Sequence, residues 1–477
     1  MIWIILIIAL VIRLVSLNQS LWLDEAINVL AAKNLDFISF VTRYPIADFH
    51  PPGYFAVLWV WTKIFGISEI AVRMPSVLFG VGTVWLTYLI GRKLFNLNTG
   101  IFAALFLSLA PLHIYYSQEA RMYSFAAFAA TLSMYFLIRI SEKNWFSKIG
   151  YAIAVGLLLY SDYVAYFILP AQVFYILFYQ RKHLKTFCVI FCLGAIIILP
   201  WLVVFPQQLT NGQQTAGNIT GWKNVVGGAN LKEASLLIVK TLIGRISFEN
   251  KLFYIFLVGL ISLPFAVTFK KVVQKIDSTT ALILSWAILP PLMAFAVSFY
   301  IPVFTYFRFI FILPAFYLLV SLGVNRFDSS WLNIFSKRFI IVLIILSEIF
   351  TSGTYILNPA FHREDWKGAV GFLESRKDDK VVVLFENDEA FAPYKYYSNR
   401  LVEEIGGLVE IPVKQKSDIA DLENLLINKK EVYLMEYLVD ITDPERILEK
   451  KLETVGYLKS GKYDFRGVGF LTKYQRL

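Results

Sequence analysis

The sequence predicts a polytopic α-helical membrane protein with a soluble α/β domain at its C-terminal end. Three observations predict it. Of 477 residues, 57% are hydrophobic and only 17% charged, far from the composition of a soluble globular protein. Long apolar stretches recur from Met1 to Ile356, each reading as a membrane-crossing helix. From Asn358 the apolar character stops, and the rest of the chain has the make-up and size of an ordinary domain. The expected division is a membrane domain over 1–357 and a soluble domain over 358–477.

The spans are expected in order along the chain. Residues 1–17 lack a basic leading region and a small-residue cleavage site, so they read as a retained first helix and not a signal peptide. Further spans are expected at 76–91, 99–116, 122–140, 149–161, 163–180, 186–205, 251–269, 280–299, 308–324 and 338–356. The loops on one side then carry Arg92/Lys93, Lys143/Lys148, Arg181/Lys182/Lys185, Lys270/Lys271/Lys275 and Arg326/Lys337/Arg338. Every one is basic, which marks the cytoplasmic side. These loops account for the net charge of +10 without a nucleic-acid partner. Residues 53–66 are apolar and aromatic but shorter than the ~20 residues a span needs, so an amphipathic helix lying in the interface is expected there. That choice gives about eleven spans, a cytoplasmic N-terminus and an external C-terminal domain. Cys188 and Cys192 lie one turn apart in an apolar span and read as helix packing, not as a disulfide.

The polar residues on the external side carry the chemistry. Asp24 and Glu25, in Leu-Trp-Leu-Asp-Glu-Ala, follow the first span directly. Carboxylates beside hydrocarbon are costly, which points to a base, a metal ligand or both. The same pair would also suit the first turn of a surface helix over 24–33. In Asp48-Phe49-His50-Pro51-Pro52-Gly53 the two prolines restrict the backbone and hold His50 on a fixed turn. A histidine there can orient a carboxylate, bind phosphate or ligate a metal. It can equally be a polar residue before a helix start. The next external loop, 117–123 (SQEARMY), sets Glu119, Arg121 and Tyr123 at the interface. A structural ion pair would also account for Glu119 and Arg121. Arg308 begins a late span; it can snorkel, or it can grip a phosphate by bidentate bonds. Asp162 reads as a turn residue. The segment 206–250 is rich in Gly, Asn, Gln and Thr and reads as a long external loop that could serve as a gate. Within it, Asn218-Ile219-Thr220 matches the glycosylation acceptor pattern, a match short enough to arise by chance.

In the tail, 365–376 is amphipathic, 380–385 (KVVVLF) reads as a buried strand, and 390–398 as a helix. After these come a helix at 418–429, a strand at 431–437, a helix at 444–452 opening on Pro444, and a last strand at 468–472. The alternation implies a small α/β domain. No glycine-rich phosphate loop follows its first strand, so no nucleotide cofactor is expected.

With these motifs in place, the chain resembles the GT-C class of membrane glycosyltransferases. It is most similar to the branch of protein O-mannosyltransferases and lipid A aminoarabinose transferases. The resemblance rests on the ordered set Asp24-Glu25, His50-Pro51-Pro52, 117–123 and Arg308. It implies a sugar donor carried on polyprenyl phosphate, an acceptor hydroxyl on a protein, lipid or polysaccharide, and a site at the outer face of a cell membrane. By the same resemblance, Asp24 is the general base and Glu119 helps to bind a divalent cation or the acceptor. Glu25 and His50 complete the site, and Arg308 with Arg121 stabilises the phosphate leaving group. In that scheme Tyr123 contacts substrate, and Asp24, Glu119 and His50 are the metal-ligand candidates. An acid-rich set without cysteine would favour Mg²⁺ or Mn²⁺. Attack by a separate acceptor inverts the anomeric centre. The alternative class is a lipid or sugar transporter without covalent chemistry; a transporter should place its polar residues near the midplane, whereas here they gather at one face.

Overall fold

The computed structural model describes residues 1–218, 227–327 and 331–476. The chain separates into two compact units. One comprises Met1–Leu17, Leu35–Gly212 and Val226–Phe361; the other comprises Asn18–Asn34, Gln213–Val225 and His362–Leu477.

The first unit is helical. Among the described residues, six helices are long and apolar enough to cross a membrane: Glu69–Leu94, Arg181–Leu202, Lys251–Val273, Ser278–Val297, Tyr306–Asn325 and Phe335–Leu357. The expected span at 99–116 is broken. Helices Leu97–Leu109 and Pro111–Ser117 meet at a bend of 63°. Ala110 is extended there (ψ 118°), because the proline ring that follows excludes the helical conformation. Counted as one span, the pair makes seven. The remaining expected spans are shorter apolar helices, Ile2–Leu14, Tyr123–Leu137, Trp145–Leu159 and Val164–Tyr179. Gly53–Phe65, expected in the interface, is a helix of 13 residues. The expected loop at 206–250 is instead largely helical, as Phe205–Asn218 and Leu231–Ile243. Polar side chains concealed these helices, although Asn230 caps the second by accepting from the Glu233 N–H at 2.8 Å. The glycosylation match at 218–220 falls partly outside the described residues.

A buried cation ties the first helix to the bend. The fully buried Arg13 donates to the carbonyls of Ala9 (2.9 Å) and Ser108 (3.1 Å) and meets His113 Nδ1 at 2.6 Å. The guanidinium can only donate, so His113 accepts through Nδ1. Gln118 Nε2 donates to the carbonyls of Arg13 and Val15, and Tyr355 donates to its Oε1.

The second unit contains a five-stranded sheet in the order β2-β1-β3-β5-β4, with β1 Val381–Phe385, β2 Glu403–Gly406, β3 Glu431–Met435, β4 Tyr457–Phe465 and β5 Gly469–Arg476. β2, β1 and β3 are parallel, and β5 and β4 run antiparallel beside them. β1 is buried at every position because both faces are covered. Val381, Val383 and Phe385 join a core with Trp366, Tyr433 and Leu471, whereas Val382 and Leu384 join Val432, Leu448 and Tyr474. β2 and β4 are absent from the sequence expectation, since their exposed alternate residues dilute the apolar pattern. The helix expected at 418–429 is a 3-10 turn at Lys416–Asp418 followed by a single turn at Leu422–Leu425. The helix expected at 444–452 is Ile447–Thr454. Its start is set by Asp443, whose carboxylate accepts from the N–H groups of Ile447 (2.9 Å) and Leu448 (2.8 Å), and not by Pro444.

Candidate active site

In the first unit, the helix Tyr44–Asp48 ends on Phe49 in the left-handed conformation (φ 64°), which turns the chain into His50-Pro51-Pro52. Gly53 then donates its N–H to the Tyr160 carbonyl at 2.9 Å. A Cβ at Gly53 would lie 2.5 Å from that oxygen, so only glycine permits the approach. The approach brings Asp162 to His50. His50 Nδ1 lies 2.6 Å from Asp48 Oδ1, and its Nε2 lies 3.8 Å from Asp162 Oδ2. The other oxygen of Asp48 accepts from Arg121 Nη1 at 2.7 Å. Burial alone would push the Asp48 carboxyl up; Arg121 and His50 outweigh it and hold the group below its usual range. Gln208 closes the turn from outside by donating to the His50 carbonyl at 3.2 Å. His50 and Arg121 are thus joined through Asp48, which the sequence does not single out as a partner. Asp162 is more than a turn residue, because its Oδ1 accepts from the Val164 N–H while Oδ2 faces the imidazole.

Two residues before Arg121, Glu119 is only 1% exposed. Its charge acts on Arg245, together with Tyr115, Tyr116 and Tyr306. Arg245 follows the helix Leu231–Ile243 through Gly244 (φ 66°), where a Cβ would sit 2.7 Å from Pro111. Glycine therefore lets this helix end against the bend. Arg245 itself is exposed. It donates to the Tyr115 hydroxyl at 3.0 Å and lies 4.8 Å from the centre of that ring. Tyr115 first, and then Tyr116, Tyr306 and Glu119, raise the guanidinium well above its ordinary pKa, against the desolvation that would lower it. Tyr123 packs against Phe307 (5.5 Å) and Tyr116 (5.1 Å). Phe307 adjoins Arg308, which is half-buried and places Nη1 3.5 Å from the Val303 carbonyl. Arg245 is the residue that sequence reasoning missed; its signal was a Gly-Arg pair closing an apolar helical repeat inside the assumed loop.

The acidic pair belongs to the second unit, on the helix Leu23–Asn34. Its two members differ. Asp24 is half-buried, whereas Glu25 is 0% exposed. Glu25 reaches back to the Trp22 N–H at 3.4 Å and lies 3.8 Å from Arg363 Nε. A glutamate at the third helical position bonding back to the cap residue is half of a capping box. Lysine and tyrosine side chains secure the approach: Tyr397 accepts from the Leu21 N–H at 2.8 Å, and Lys367 Nζ donates to the Asn18 carbonyl at 2.9 Å. Glu364, beside Arg363, has its carboxyl pushed up to about 7 by burial, with the charge of Asp24 acting in the same direction. Among the described residues, no three His, Cys, Asp or Glu side chains form a group that could hold a metal ion.

Residues 49–205 match the model of a family described as dolichyl-phosphate-mannose-protein mannosyltransferase. An uncharacterized protein of Aquifex aeolicus (strain VF5) is 31% identical over 175 residues, 35% of this chain and 34% of the relative. A putative mannosyltransferase, YycA of Bacillus subtilis (strain 168), is 30% identical over 183 residues, 35% of this chain and 26% of the relative. The matches therefore span about a third or less of these relatives' length. Among solved structures, ArnT from Cupriavidus metallidurans, bound to undecaprenyl phosphate, superposes with a TM-score of 0.60 at 12% identity, covering 99% of this chain and 97% of that one. The archaeal oligosaccharyltransferase AglB from Archaeoglobus fulgidus, in complex with an inhibitory peptide and a dolichol-phosphate, gives 0.55 at 12% identity, covering 98% and 74%. The resemblance to GT-C glycosyltransferases holds in these comparisons, and at such identities the structures speak for the fold.

Proposed function

We propose that this chain, whose residues 49–205 carry a domain of the dolichyl-phosphate-mannose-protein mannosyltransferase family, transfers a sugar from a polyprenyl-phosphate donor to an acceptor hydroxyl. The reaction takes place at the external face of the cell membrane. One observation carries the reading. The helix Leu231–Ile243 presents Leu237, Ile238, Thr241 and Leu242 to an apolar cavity of about 410 Å³, shared with Phe265 and Phe316, and leads directly into the exposed cation Arg245. A helix that lines an apolar cavity and runs on into a guanidinium suits an amphiphile with a phosphate head. The undecaprenyl phosphate bound to ArnT supports the same donor class.

In this reading Asp24 takes the proton of the acceptor hydroxyl. The acceptor oxygen bonds to the anomeric carbon as the bond from that carbon to the phosphate oxygen breaks, which inverts the centre. The departing polyprenyl phosphate keeps the electron pair, and Arg245 and Arg308 stabilise its charge. Asp48 orients His50 and Arg121 toward substrate. Glu25 is assigned to structure, since its carboxylate is turned to Trp22 and Arg363. No step is routed through a metal ion. The spans continue to be read as about eleven, with the N-terminus cytoplasmic. The sugar is read as mannose or a related hexose or pentose.

The test is sugar release from a panel of radiolabelled polyprenyl-phosphate sugars by the purified full chain, with membrane-extract acceptors and an EDTA arm. Wild type and Asp24→Asn are run together. Transfer lost in Asp24→Asn with lipid binding kept supports the reading. Transfer by none of the donors with folded wild type overturns it and favours the transporter class. Loss of transfer in EDTA, restored by Mg²⁺ or Mn²⁺, would establish the divalent ion.

A further inference from the structure

The turn that displays Arg245 is closed twice by one residue. The helix Leu231–Ile243 ends at Gly244 (φ 66°), a backbone angle that glycine adopts without strain. The Gly244 N–H donates back to the Lys240 carbonyl at 2.9 Å. That bond reaches no further than Gly244. The Lys240 side chain goes on from there: its Nζ donates to the Ile246 carbonyl at 3.0 Å and to the Tyr254 hydroxyl at 3.2 Å. Ile246 is fully buried, and Arg245, between it and Gly244, is exposed. Tyr254 lies on the next helix, Lys251–Val273, with its ring centre 5.7 Å from the ammonium. The ammonium therefore ties the end of one helix to the start of the next across Arg245. Lys240 is 8% exposed, and an ammonium taken out of water is costly unless its donors are met. Both acceptors named here are neutral. Burial, then the charge of Arg245, brings the ammonium down to about 8, so it is mostly protonated at neutral pH and keeps its donors. Each contact lies within the first unit.

We propose that Lys240 is a positioning residue for Arg245: its ammonium clamps the turn Gly244–Ile246 and so fixes where the Arg245 guanidinium stands. The proposal deepens the transferase reading by adding a residue outside its motifs, and for its donor arm it rests on that reading. Arg245 is then held at both ends, its guanidinium by the Tyr115 hydroxyl at 3.0 Å and its main chain by Lys240. A guanidinium pinned in this way offers its other donors to a phosphate without first being ordered. Lysine suits the position because a long stem must carry one multiple donor past the turn to two acceptors on different elements.

The experiment uses the full-length protein in detergent. Hydrogen exchange of the amides of the turn Gly244–Ile246 reads the clamp without any assumption about activity. Donor KM and kcat, with equilibrium binding of undecaprenyl phosphate beside them, read the positioning. Lys240→Met keeps the stem and the main-chain bond but loses the ammonium. It is expected to speed exchange of the turn about tenfold. It should also raise the donor KM and the undecaprenyl phosphate Kd about tenfold, the size of one charge-assisted hydrogen bond, with kcat within about threefold of wild type. Lys240→Arg restores a charged donor and should return each value to within about threefold. In the Arg245→Met background, Lys240→Met should change KM and Kd by less than about twofold, because a residue that acts through Arg245 has nothing left to position. Where Lys240→Met does not fold, Tyr254→Phe carries the test: removing one acceptor should raise the donor KM about threefold, and an unchanged KM overturns the clamp. Unchanged exchange or unchanged KM in Lys240→Met overturns the proposal. So do additive losses in the double variant, because Lys240 would then act on its own. If wild type transfers no sugar, the transferase reading fails, while exchange and undecaprenyl phosphate binding still decide the clamp.

Discussion

The two carboxylates of the acidic pair should respond oppositely to neutralisation. Glu25 is fully buried and 3.8 Å from the buried Arg363. At that separation and an effective dielectric near 20, the attraction is roughly 4 kcal/mol before desolvation. Removing one partner of a buried pair costs about 3–5 kcal/mol because the other charge stays behind. The separation exceeds hydrogen-bond length, so the lower end, about 3 kcal/mol, is expected. Glu25→Gln keeps an oxygen for the Trp22 N–H and isolates the charge. For a domain of this size, the loss should lower the apparent Tm of the second unit by roughly 6–12 °C. Turnover should stay within about threefold when measured well below the melting range. Arg363→Met in the Glu25→Gln background should restore most of the stability, because no charge is then left buried. Asp24→Asn, at a half-buried side chain, should move stability by about 0.5 kcal/mol or less while lowering turnover by about 10²–10⁴, the range for loss of a general base. Scanning fluorimetry and donor turnover on the same preparations measure both. The division of labour is refuted if Glu25→Gln abolishes turnover at unchanged Tm, or if Asp24→Asn destabilises as much as Glu25→Gln.

Other outcomes rest on the same geometry. Glu386, fully buried just after β1, has its carboxyl pushed up to about 8 by burial, then by the charge of Asp443. The folded state thus holds this proton more tightly than the unfolded chain. Its stability is full below the unfolded pKa near 4.5 and falls as pH rises through about 8. Hydrogen exchange of β1 and β3, corrected for intrinsic rates, should show this loss in wild type and a flat profile in Glu386→Gln. Arg245→Met should raise the donor KM about tenfold or more, whereas Tyr115→Phe, which removes one bond to Arg245 at 3.0 Å, should cost about 1 kcal/mol of donor binding. Gly53→Ala would set a Cβ 2.5 Å from the Tyr160 carbonyl; it should displace the His50 turn and lower both expression and turnover, with Gly66→Ala, open on all sides but strained at φ 80°, as a milder control.

Much of this protein is legible in its sequence because burial in lipid writes a strong signal. The apolar runs, the basic loops and the change of character near Asn358 need no tertiary information, since the bilayer imposes length and polarity on each span separately. The ordered motifs at Asp24-Glu25, His50-Pro51-Pro52, 117–123 and Arg308 were visible for the same reason: polar groups stand out against an apolar background. The strand KVVVLF was visible because both of its faces are covered. β2 and β4 were hidden because each keeps a single fully buried residue and its other positions are partly or fully exposed, and Leu231–Ile243 was hidden inside a polar segment. What only the tertiary structure decided is which polar residues meet. Asp48 joins His50 to Arg121 across 73 positions, and Tyr115 meets Arg245 across 130. Local pattern fixes where a side chain points along its own element; which partner it finds depends on packing between elements remote in sequence, and no window along the chain contains that information.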